Sequence, residues 1–180
     1  MDFNQYFKSR QGEMVNLLKE LVQKESPTSD KKAVDACSAY FAEQFRKTGA
    51  KVSRLPQKST GDFNLIEFPG KADRKLDGQI LLLGHIDTVW PVGKIEHMPF
   101  YVSGEKVFGP GVLDMKGGLV LIYFALKTMN DLNLRPKAKI FSFCGVSQNR
   151  ISQDAQAVSG TTLAFSPPAM RPILTVTSLD

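Results

Sequence analysis

Only two histidines occur in this 180-residue chain, and one of them, His85, ends an apolar run two residues before Asp87. A second acid, Asp114, lies in the stretch Gly109-Pro110-Gly111-Val112-Leu113-Asp114-Met115-Lys116-Gly117-Gly118. An imidazole nitrogen and carboxylate oxygens, delivered by separate loops to one rim, are donor types that zinc takes. If the strand persists to Asp87, its side chain shares a face with His85, about 6–7 Å away along the backbone. Two roles are then open to Asp87: a second metal ligand, or a carboxylate that orients the imidazole while His85 binds the metal. A carboxylate at position 114, in a glycine-rich turn before a helix, can bridge two cations. Gly117 and Gly118 permit close backbone approach there.

Each residue taken singly has a plainer explanation. A histidine at a strand end is commonly just a satisfied polar group. Asp114 alone reads as a helix N-cap, and Gly109-Pro110-Gly111 alone as a turn. The order and flanks of the whole set favour the metal reading. His97, between the two motifs, reads as a solvated loop residue. Lys116 can pair with Asp114 or a substrate, or stand as a solvated helix charge.

A frame must bring these residues together. Met14, Leu17, Leu18, Leu21 and Val22 recur at helical spacing, predicting a helix over residues 3–25 that Pro27 ends. Ser29-Asp30 supplies the cap of a second helix, with Val34, Cys37, Tyr40, Phe41 and Phe45 inward and Gly49 closing it. Residues 51–55, 64–68, 79–84 and 139–144 read as strands. The run Gln79–Gly84 is apolar on both faces, as expected of a central strand covered by helices. Residues 91–109 form an excursion with one hairpin, and a third helix starts at Asp114. This alternation predicts an α/β fold, a mixed sheet flanked by helices, with ligand chemistry at the carboxyl ends of strands.

Composition narrows the function. A net charge of +5 without a basic stripe interleaved with aromatics argues against nucleic acid. No apolar run reaches membrane-spanning length, and the amino terminus has no signal core. Cys37 and Cys144, the only cysteines, read as buried free thiols, so a cytoplasmic location is expected.

The stretch Gly84-His85-Ile86-Asp87-Thr88-Val89-Trp90-Pro91-Val92-Gly93 resembles the first zinc motif of the aminoacylase, acetylornithine deacetylase and glutamate carboxypeptidase family of zinc metallopeptidases. Residues 100–118 resemble its second motif, and Leu21–Thr28 and Asn64–Gly70 resemble the segments that precede them. The Trp-Pro-Val-Gly extension leans toward the carboxypeptidase G subgroup. The resemblance implies a zinc-exopeptidase-like catalytic domain with two zinc ions. His85 would ligate one of them, Asp87 would serve catalysis by holding the His85 ring, and Asp114 would bridge both. It implies hydrolysis of the amide bond in N-acyl amino acids or small peptides as small-molecule substrates.

The family also places Asp-Glu-Glu and then Gly-Ser after the strand that here ends at Cys144, whereas residues 145–150 are Gly-Val-Ser-Gln-Asn-Arg. Ser166 stands where a further ligand acid is expected, and Asp154 is the only acid between Gly145 and Thr162. Residues 1–144 are therefore expected to form a partial catalytic domain and 145–180 a divergent segment, with the family's dimerisation domain missing. Activity is expected to be impaired. The alternatives are an inactive, truncated or frame-disrupted copy, or a ligand-binding module that kept the fold.

Overall fold

The structure, a computed structural model, describes residues 3–68, 79–134, 136 and 138–146. Helix α1 (Phe3–Gln23) buries Leu17, Leu18, Leu21 and Val22 along the stripe set by their spacing. Helix α2 (Lys31–Lys47) begins where the Asp30 carboxylate accepts the Ala33 N–H at 3.0 Å. It ends where Gly49, at φ +80°, donates its N–H to the Arg46 carbonyl. Phe41 and Phe45 of α2 are fully buried and pack edge-on, 5.0 Å apart. Phe45 also meets Tyr123 of helix α4 (Gly117–Asp131) at 5.2 Å. Each such buried side chain contributes about 1.5–3 kcal/mol.

Among the described residues, four strands form the main sheet: β1 (Lys51–Leu55), β2 (Phe63–Phe68), β3 (Gln79–His85) and β6 (Lys139–Gly145), in the order β1-β2-β6-β3. Of the pairings among these four strands, β3 with β6 is the parallel one. Register puts Asn64, Ile66 and Phe68 of β2 opposite Cys144, Ser142 and Ile140 of β6, so these six share one face. Helix α2 docks on that face through the Asn64 amide, which donates to the Ser38 hydroxyl at 2.7 Å. The α2–sheet seam also holds an ionic cluster. Buried Asp62 accepts from Lys31, Arg54 and the Gln57 N–H, while its own N–H donates to Asp35. Burial disfavours the Asp62 carboxylate, but these donors outweigh it and hold its pKa below the ordinary value.

The mixed α/β sheet flanked by helices is as the sequence predicts, with two corrections. The β3 strand is not central among the described residues. It lies at the edge of the sheet, with Ile80 37% and Leu83 54% exposed. An apolar run reports that its side chains favour burial, not which neighbour supplies it, and here β6 pairs with one side only. The third helix starts at Gly117, not Asp114, because Asp114 (φ −122°, ψ 97°) and Met115 are non-helical. The expected hairpin is present as β4 (Tyr101–Ser103) and β5 (Lys106–Phe108), preceded by the short helix α3 (Lys94–His97). The divergent segment, including Asp154 and Ser166, lies outside the described residues apart from Gly145 and Val146.

Candidate metal centre

β3 ends at His85, and the chain continues extended. Ile86 donates its N–H to the Gly145 carbonyl at 3.1 Å, so it still follows β6. On its other side Thr88 bridges Pro27. Thr88 donates its N–H to the Ser26 carbonyl at 2.8 Å, and Thr28 donates its N–H to the Thr88 carbonyl at 3.0 Å. The residues just past α1 thus act as a short second neighbour for the site strand. The Ser26 hydroxyl adds a bond to the Ile86 carbonyl at 2.8 Å.

This extension puts His85 and Asp87 on one side, as their spacing predicts. His85 Nδ1 lies 3.3 Å from Asp87 Oδ1 and 3.1 Å from the Asp87 carbonyl, and Asp87 is wholly buried. The opposite nitrogen, Nε2, meets Asp114 Oδ1 at 2.9 Å. Burial disfavours a charged His85 ring, but the bonds and charge of Asp87 and Asp114 outweigh it and raise the pKa above the ordinary histidine value.

Asp114 is carried by the wide turn Val112–Lys116, whose side of the site is open: the Asp114 side chain is 79% exposed. Gly111 makes the turn possible. It sits at φ +73°, and a Cβ there would lie 2.5 Å from the Thr88 methyl. Met115 folds back so that its sulfur accepts the His85 backbone N–H at 3.4 Å. Lys116 is neither solvated nor paired with Asp114, contrary to both sequence alternatives. It is 1% exposed and donates to the Leu21 and Lys24 carbonyls at 2.8 and 3.1 Å. These are carbonyls at the end of α1, which lack helical partners and attract a cation. His97 is exposed at the end of α3, as expected.

The donor chemistry suits zinc. With Nδ1 facing the buried carboxylate, Nε2 is the nitrogen left to a metal beside Asp114, the arrangement in which an outer carboxylate orients a histidine ligand. Zinc–ligand lengths of 2.0–2.2 Å would place two tetrahedral donors about 3.4 Å apart, a small outward step for an exposed side chain. The fit covers only part of a coordination shell. Among the described residues, no group of three or more His, Cys, Asp or Glu converges, whereas catalytic zinc sites commonly use three protein ligands. Cys37 and Cys144 are buried, and burial pushes both thiols up, away from the thiolate a metal takes.

Sequence reasoning missed the segment Glu25–Thr28 as part of the site and treated it as a helix end. Glu25 accepts the N–H groups of Gly93 and Ile95 at 2.7 and 2.9 Å, and the Thr28 hydroxyl donates to Asp87 Oδ2 at 2.5 Å. The local signal was a run of polar residues around Pro27, but nothing in it indicated partners about sixty residues away.

Residues 81–145, which carry β3, the Asp114 turn and β6, match the family model described as Peptidase family M20/M25/M40. Carboxypeptidase G2 of Pseudomonas sp. (strain RS-16) is 27% identical over 161 residues, covering 86% of this chain and 38% of that protein. Human carnosine dipeptidase 1 superposes with a TM-score of 0.71 at 20% identity, covering 86% of this chain and 36% of that one. An M20 family metallo-carboxypeptidase from Sulfolobus solfataricus gives 0.66 at 21% identity, covering 82% and 34%. The chain thus spans well under half the length of these relatives. The motif-bearing strands and the turn between them thus resemble part of the M20/M25/M40 peptidases, and the described fold is similar to that of these solved structures.

Proposed function

We propose that this chain carries part of the catalytic domain of a zinc-dependent hydrolase that cleaves the amide bond of N-acyl amino acids or small peptides, in the manner of a glutamate carboxypeptidase. The observation that carries the reading is the line Asp87–His85–Asp114, with a buried carboxylate on one ring nitrogen and an exposed one 2.9 Å from the other. In this reading His85 and Asp114 hold the metal and Asp87 fixes the His85 ring. Zinc, when bound, would supply the Lewis acidity that polarises the amide carbonyl. The name of the relative carboxypeptidase G2 supports cleavage at a carboxyl-terminal residue. The division into a partial catalytic domain over residues 1–144 and a divergent segment beyond it belongs to the same proposal. So does a cytoplasmic location, supported by two free buried thiols.

A second reading is favoured by the donor count. With two converging donors among the described residues and no acid between Gly145 and Gln153, the chain would bind metal or ligand weakly and turn nothing over. Zinc titration by calorimetry, with a parallel assay on N-acyl glutamates and dipeptides, separates the two. The impaired-site expectation is weak zinc binding, as an incomplete ligand shell gives, with little hydrolysis. Tight uptake of two zinc ions with turnover would establish a working enzyme. Unchanged zinc binding in His85→Ala would remove the ligand assignment itself.

A further inference from the structure

The buried Asp87 carboxylate has its two oxygens held from different elements. Oδ1 faces His85 Nδ1 at 3.3 Å, and Oδ2 accepts the Thr28 hydroxyl at 2.5 Å. The hydroxyl carries one proton and has two acceptors in reach, since the Thr88 carbonyl lies at 3.2 Å. The shorter, charge-assisted bond to the carboxylate is the stronger one. Thr28 does not reach this position by chance of side-chain rotamer. Its backbone N–H is bonded to the Thr88 carbonyl and the adjacent Pro27 bridges Thr88, so the main chain fixes where the hydroxyl sits.

We propose that Thr28 is a positioning residue of the metal centre, its hydroxyl clamping the Asp87 carboxylate so that Asp87 holds the His85 ring with Nε2 turned toward Asp114. A carboxylate turns about a terminal torsion that is broad and nearly two-fold. The Thr28 bond to Oδ2 resists that turn while Oδ1 faces His85 Nδ1, whose own hydrogen-bond partner at 3.1 Å is the Asp87 carbonyl. The segment after α1 thereby acts on the His85 ring, about sixty residues away in sequence, through Asp87. This rests on the zinc reading above only for its functional meaning, because the clamp is built from the chain's own residues.

The test compares the whole chain with Thr28→Val, which keeps the shape and loses the hydroxyl, and Thr28→Ser, which keeps the hydroxyl. Thr28 is surface-exposed, so both variants should fold, which thermal melting checks. The readout is the His85 ring in metal-free protein, by long-range proton–nitrogen correlation at fixed pH, with His97 as internal reference. Thr28→Val should shift and broaden the His85 Nδ1–H signal, and Thr28→Ser should restore it. Zinc affinity, read by chelator competition, should fall about tenfold in Thr28→Val, the lower end of what outer groups contribute to metal binding. A His85 signal unmoved by Thr28→Val, or moved equally by Thr28→Ser, would overturn the clamp. A signal that responds in protein that binds no zinc would keep the clamp and reject the zinc reading.

Discussion

His85 and Asp114 meet across 2.9 Å but come from opposite surroundings. The His85 side chain is 9% exposed, on a strand end held by β6 on one side and by the Ser26–Thr28 segment on the other. Asp114 is 79% exposed on a turn whose neighbour Leu113 is 93% exposed. The turn is nevertheless anchored at its base, where Lys116 is buried against the end of α1. The difference teaches that the strand-borne half is organised by the protein alone. The turn-borne half has a fixed root and an exposed tip, so its carboxylate can move while the His85 ring stays held.

That contrast can be broken at several points. The largest effect is expected for Ile86→Ala. This fully buried side chain sits between His85 and Asp87, and its truncation should cost about 2–5 kcal/mol in urea unfolding. A loss below 1 kcal/mol would mean the strand half is not rigidly packed. Lys116→Ala leaves two helix-end carbonyls without their buried donor, and should cost about 1–3 kcal/mol, so a neutral result would deny the turn its anchor. A carboxylate remote from both halves gives a control in pH. The pKa of Asp62 is lowered in the folded chain, so its stabilising contribution is fully present above the unfolded carboxylate range near 4. It is lost as pH falls through the folded value. Asp62→Asn should therefore flatten the acid side of the stability profile without changing the environment of His85. The smallest effect is expected for Leu113→Ala, within about 0.5 kcal/mol as for surface positions generally. A larger loss would show that the turn tip is packed after all.

Much of the fold was legible in local patterns. The stripe on α1, the Asp30 cap, the Gly49 stop and the strand at 64–68 each depend on a few residues, and each stands where the sequence places it. The readings that failed needed distant partners. Whether β3 is central depends on a neighbour strand, and the run Ile80–Leu83 carries no information about that neighbour. Asp114 resembles an N-cap locally, but the turn at Gly111 and the return of Met115 to His85 delay the helix to Gly117.

For the site, the sequence by itself determined the donor types, the two-residue step that puts His85 and Asp87 on one side, and the glycines that let a turn approach a strand. Those follow from backbone periodicity and sterics. Only the tertiary structure decided which ring nitrogen faces which carboxylate, that Lys116 is buried on the end of α1, and that Thr28 reaches Asp87. These depend on chain segments separated by 29 to 95 residues meeting in space, and no spacing along a single element specifies that meeting.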